Sequence, residues 1–174
     1  MGNTPQSVES QTVKDSCPEW TDQELRPVVY QGNIVPGYKI AKDGLIISYK
    51  RYKEGRPLTW TAVGVIGAKY PAVKLMIPIQ NLRFQNTEAS DYKPTTETVG
   101  RKCKVHILVA DAWLDNNCPE DLEPYWNQFP NELKSILRVY FHIDHIDDNK
   151  NNADVSNLKF VSPRENHYLI KAGV

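Results

Sequence analysis

The sequence predicts an α+β fold, and three observations carry the prediction. Residues 25–100 are short β-branched and aromatic runs separated by turn formers. From Val105 the apolar period lengthens from that of a strand to that of a helix. The last part closes on a strand, an Asn/Asp-rich loop, a second strand and a capped helix, and three of the four histidines lie within it.

At 174 residues, 40% of them hydrophobic, the chain can bury a core as one domain or two small ones. No apolar run approaches the roughly 18 residues that a membrane span requires, and the N-terminus lacks the basic-then-apolar order of a secretory signal. The expected location is therefore the cytoplasm, with no membrane partner and no evident obligate protein partner. Cys17, Cys103 and Cys118 are too few and too scattered for a disulfide framework or a thiolate zinc site. Any metal must then be held by oxygen or imidazole.

The formal net charge is zero, but its distribution is uneven: residues 38–104 hold thirteen Lys and Arg against five Asp and Glu, and both flanks are acidic. A basic middle beside an acidic, Asn-rich end suits a phosphate-backbone platform next to a cation site. A solvated charged face is the plainer reading of the same charges.

Residues 1–24 are polar and without hydrophobic period, as a flexible tail would be. Strands are expected at Val28 to Tyr30, Tyr38 to Ala41, Leu45 to Tyr49, Leu58 to Trp60 and Ala72 to Ile77. Lys42-Asp43-Gly44 is a hairpin turn signal between the second and third of these. Lys50, Arg51, Lys53 and Arg56 lead off that hairpin around Tyr52, which marks residues 25–100 as a β-rich nucleic-acid-binding module and these four side chains as its candidate contacts. Edge lysines that merely block aggregation are the alternative. Asn86 to Gly100, rich in Thr and Glu, reads as a linker or long loop.

Val105, Leu108, Val109, Ala112 and Trp113 form one apolar helical stripe that ends near Asp115. His106 lies off the stripe and is read as a histidine with no proton to move. Between Pro119 and Tyr140, a short helix is expected after Pro130, with Trp126 and Phe129 forming an aromatic patch that belongs to the core.

From Val139 to His145 the alternation of a strand places His142 and Asp144 on one face and His145 on the other, unless the strand twists or ends there. Asp147 to Asn152 is a run of turn formers, Leu158 to Val161 a second strand, and Ser162-Pro-Arg-Glu165 a capping box that leaves Asn166 in the helix's first turn.

Asp144-His145, Asp147, Asn149, Asn152, Asn157-Leu158, Val161-Ser162 and Asn166 resemble the spaced signature of the HNH nucleases, closest to the phage-type HNH homing endonucleases. Val105 to Trp113 is similar to the helix that precedes the motif in that family, and Gly37 to Lys50 to the β-rich module in front of it. The resemblance implies a ββα-metal (HNH, His-Me finger) nuclease unit over residues 101–174, acting on double-stranded DNA. It implies His145 as the general base and Asn157 as the group that orients the base. Asp144 and Asn166 would hold one divalent cation, Mg²⁺ or Mn²⁺, at an all-oxygen site aided by the helix N-terminus. His142 is read as structural and His167 as outside the motif.

The chain departs from that pattern in the residues between Asn116 and Arg138, which are often fewer in related chains, and in having no cysteines to bind a bracing zinc ion. Three function classes stay open: a metal-dependent DNA endonuclease that nicks or cuts both strands, a DNA-binding regulator with an inactive HNH unit, and a nuclease toxin or restriction component. Within a host cell, a phage-encoded enzyme would work in the cytoplasm.

Overall fold

The computed structural model describes residues 23–65, 68–79, 97–114 and 118–166. It is a mixed fold of three antiparallel sheets and few helices. The expected tail at 1–24 lies almost entirely outside the described residues, as does His167.

The first sheet has four strands in sequence order: β1 (Arg26–Tyr30), β2 (Asn33–Ile40), β3 (Ile46–Ser48) and β4 (Arg56–Pro57). The expected Asp-Gly turn joins β2 to β3, with Ile40 opposite Ile46. Asp43 Oδ1 accepts from the Leu45 N–H at 2.9 Å, and Gly44 takes φ +89°, a conformation that a β-carbon would strain. A β-carbon there would also stand 2.7 Å from Val105 and 3.3 Å from Ala153. The turn is thus wedged between a helix and the loop of the last sheet.

The second sheet orders β5 (Thr61–Val65), β6 (Ala68–Pro78) and β7 (Thr98–Lys104). Two expectations fail here. Leu58 to Trp60 is not a strand but the connection between β4 and β5, fixed by the Leu58 N–H donating to the Ile46 carbonyl at 2.8 Å. The expected linker ends earlier than Gly100, because Thr98 to Gly100 already pair with Met76 to Pro78. Long-range pairing with β6 overrides the turn-like local composition.

Lys104 ends β7 and α1 (Val105–Trp113) begins at the next residue, with no loop between them. The predicted stripe is borne out: Val105, Leu108 and Val109 are fully buried and Trp113 nearly so. Arg26 closes the helix end, donating to the Ala112 carbonyl at 3.2 Å while its guanidinium lies 4.3 Å from the Trp113 ring centre. One core joins Val28, Val35, Ile40 and Ile46 of the first sheet, Val73, Leu75 and Ile77 of β6, the α1 stripe, and Leu158 and Phe160 near the chain's end. By analogy with buried leucines elsewhere, Leu108→Ala would cost about 2–5 kcal/mol.

Residues 118–138 bring α2 (Glu123–Trp126) and α3 (Asn131–Arg138), the latter being the helix expected after Pro130. Trp126 is buried, with the half-buried Phe129 edge-on to it and Phe141 tilted against it, so the patch packs inward at Trp126 as read from the sequence. The last sheet pairs β8 (His142–His145) with β9 (Leu158–Val161), Asp144 opposite Lys159. β8 starts three residues later than the alternation suggested, because Val139 and Tyr140 form the turn that leaves α3.

Candidate active site

Asp144 and His145 are the last two residues of β8, paired with Lys159 and Leu158. Both line one cleft of about 340 Å³, shared with His142 and Asn166. Asn166 arrives there because Ser162 caps the helix that opens at 163: its Oγ accepts from the Glu165 N–H at 3.2 Å, and its carbonyl from the Asn166 N–H at 3.0 Å. The opposite wall comes from Tyr70 on β6, from Lys104 and His106 at the β7–α1 junction, and from Arg138 at the end of α3.

The loop between β8 and β9 is a self-bonded scaffold rather than slack spacer. Asp147 Oδ1 accepts from the Asn149 N–H, Asn149 Oδ1 from the Asn151 N–H, Asn152 Oδ1 from the Asp154 N–H, and Asp154 Oδ1 from the Ser156 N–H, at 2.8 to 3.3 Å. Each Asx side chain caps the backbone two residues on, which is why Asn and Asp recur at that interval. Asp148 takes φ +58° and so turns the chain through the left-handed region. The hydrogen bond from Asn152, with those from Asn149 and Asn157, holds the Asp147 carboxyl below the usual carboxylate range.

Asn157 is buried under this loop. Its Oδ1 accepts from the Asp147 N–H at 2.9 Å, and its Nδ2 donates to Asp147 Oδ1 at 2.8 Å and to the Asn152 carbonyl at 3.0 Å. Its carbonyl accepts from the Ile146 N–H at 2.9 Å. These bonds fall on Ile146, Asp147 and Asn152 of the loop after His145, so Asn157 acts on the loop and makes no direct bond to the ring.

His145 is 5% exposed, and its Nε2 is sealed with no hydrogen-bond partner among the described residues. Burial holds its pKa below the ordinary histidine value; Asp144 and Asp147 oppose this and Lys150 adds to it. The ring is therefore kept in its neutral, basic form. His106, which the sequence reading set aside, is buried against it. The ring centres are 4.8 Å apart with planes at 72°, and Tyr70 packs 4.9 Å from His106. Its pKa is pushed down to about 3, first by burial, then by the charges of His145 and Lys104.

Three cations meet this cleft, and none was singled out from the sequence as a site residue: Lys104, Arg138 and Lys150. Lys104 Nζ lies 4.4 Å and Lys150 Nζ 5.5 Å from the Tyr70 ring centre. Arg138 pairs with Asp111 of α1 and lies over the Phe160 ring. Lys50, Arg51 and Lys53 on the β3–β4 connection and Arg56 at the start of β4, the expected DNA contacts, are exposed and do not line the cleft. The signal that could have found Lys104 is its position at a strand-to-helix switch two residues before a histidine.

Among the described residues no group of three or more His, Cys, Asp and Glu gathers as a metal site. The oxygen donors that line the cleft are instead the carboxylates of Asp144 and Asp148 and the amide of Asn166. Carboxylate and amide oxygens with room for water and phosphate fit a hard divalent cation.

The family model described as HNH endonuclease matches residues 134–168, from α3 through both strands and into the helix that carries Asn166. Residues 134–168 are an HNH endonuclease unit. The HNH homing endonuclease I-HmuI, in a structure titled for its DNA binding and cleavage, is 19% identical to this chain. That match covers 86% of this chain and 59% of I-HmuI, so the chain spans about three-fifths of that protein, with a TM-score of 0.46. No curated protein matches the chain.

Proposed function

We propose that the chain is a metal-dependent DNA endonuclease of the phage HNH homing type, hydrolysing phosphodiester bonds of double-stranded DNA. One observation carries this reading: Asp144 and His145, and Asn166 twenty-odd residues further along the chain, converge on one cleft with basic walls. A polar surface loop that merely made turns would have no reason to bury a neutral histidine there.

In this reading His145 takes a proton from a water that attacks phosphorus, and the 3′ oxygen leaves and takes a proton from solvent water, giving a 5′ phosphate and a 3′ hydroxyl. Asp144 and Asn166 would hold one Mg²⁺ or Mn²⁺, whose bound charge would neutralise the scissile phosphate and stabilise the leaving oxygen. Asn157 keeps the loop after His145 in one shape, so the ring meets the water at a fixed angle. Lys104 and Lys150 supply charge to the phosphates on either side of Tyr70.

Away from the cleft, Lys74 of β6 stands directly opposite Lys102 of β7, both exposed. Like charges placed opposite each other destabilise a sheet, and a polyanion laid across them would relieve this. In this reading residues 25–100 are the DNA-binding module, with Lys50, Arg51, Lys53, Arg56 and Lys74 as its contacts, and residues 101–174 are the nuclease domain, to which Lys102 belongs.

The test is incubation of supercoiled plasmid, including DNA that flanks the gene, with Mg²⁺ or with EDTA, followed by end mapping. Metal-dependent nicks or breaks with 5′ phosphates support the endonuclease. Tight, EDTA-insensitive DNA binding without cleavage would instead identify an inactive regulator.

A further inference from the structure

His142 and Asn166 lie far apart in sequence, yet Asn166 Nδ2 sits 2.7 Å from His142 Nδ1 across the cleft. An amide nitrogen only donates, so Nδ1 carries the lone pair and the ring proton resides on Nε2. The two ends of an Asn amide have nearly the same shape but opposite chemistry: Oδ1 can bind a cation and Nδ2 cannot. Without a neighbour to distinguish them, half of the amide's orientations would turn the wrong atom to the ion. His142 shares a strand face with Asp144, two residues on. The acceptor for Nδ2 therefore comes from the same strand as the carboxylate that Asn166 must join.

From this contact we infer that His142 is a positioning residue that fixes the amide of Asn166, engaging Nδ2 so that Oδ1 is presented to the cation. This rests on the proposed metal site at Asp144 and Asn166. Groups that orient a ligand in this way commonly matter nearly as much as the ligand. His142 is exposed, and no core packing depends on it.

The substitutions follow from the atoms. In His142→Asn, Oδ1 stands where Nδ1 stood, one bond beyond Cγ, and can still accept from Asn166. His142→Leu keeps bulk without an acceptor. In Asn166→Asp both oxygens are equivalent and no orientation needs to be chosen. The measurement is Mn²⁺ binding to the full chain without DNA, read by loss of the free-ion electron paramagnetic resonance signal, with thermal melts to verify folding.

His142→Leu is expected to weaken Mn²⁺ binding by about 10- to 100-fold, and His142→Asn to stay close to wild type. In the Asn166→Asp background, His142→Leu is expected to have no effect. Wild-type binding by His142→Leu, or equal losses in the Leu and Asn variants, would overturn the inference. Asp144→Ala and Asn166→Ala serve as separate controls. If they bind Mn²⁺ like wild type, the metal site itself is wrong; if they lose it while His142→Leu does not, only the role of His142 is wrong.

Discussion

The imidazole of His106 stands edge-on to that of His145, ring centres 4.8 Å apart, and each ring has one buried nitrogen with no partner among the described residues. Two neighbouring histidines in so dry a setting cannot both be charged at little cost. Burial accordingly disfavours the charged form of both rings.

This preference gives stability a pH dependence with a definite sign. His106 is held at about 3 in the folded chain, against an ordinary histidine value of 6.5. Below about pH 6.5 the unfolded chain takes up this proton and the native chain does not. The stability is full above that pH and is lost as pH falls toward 3. His106→Leu should fall less steeply over the same window, the difference approaching about 1.4 kcal/mol per pH unit where the proton is fully bound in the unfolded state. Urea denaturation at a series of pH values measures this, and parallel curves for the two proteins would refute it.

Asn157→Ala should be costly although the residue does not line the cleft. It removes the acceptor of the Asp147 N–H and the donor to the Asn152 carbonyl, two part-buried bonds made by a buried side chain. A loss of about 1–3 kcal/mol is expected, with a fall in the cleavage rate larger than the fall in DNA affinity. An Asn157→Ala protein with wild-type stability would show that the loop holds its shape by its Asx turns alone.

Lys104→Ala and Lys150→Ala should each weaken DNA binding about uniformly across sequences and lower the slope of log affinity against log salt by about one. Fluorescence titrations at several salt concentrations give that slope. If neither variant changes it, these lysines do not reach phosphate.

What the sequence revealed was what is local. The Asp-Gly turn at Asp43-Gly44, the α1 stripe and the Ser162 cap each announce themselves within a few residues, because backbone angles and helical period decide them. The segment Asp144 to Asn166 was legible for the same reason: strand, turn run, strand and cap come in unbroken order. β7 was misjudged at its start because Thr98, Val99 and Gly100 look like loop until paired with β6. Tyr70, Lys104 and His106 were missed as a wall of the site because that sheet's register and the direct β7-to-α1 junction bring them to His145, and neither is written in a local pattern. His106 falls off the apolar stripe, yet it is buried because the second interface it faces, Tyr70 and His145, is itself a tertiary product.

Single-turnover cleavage by His145→Ala tests the central claim most directly. The account predicts a rate lower by about 10²- to 10⁴-fold at saturating Mg²⁺, with DNA affinity unchanged in the same preparation. Cleavage by His145→Ala at the wild-type rate would contradict the assignment of His145 as the base.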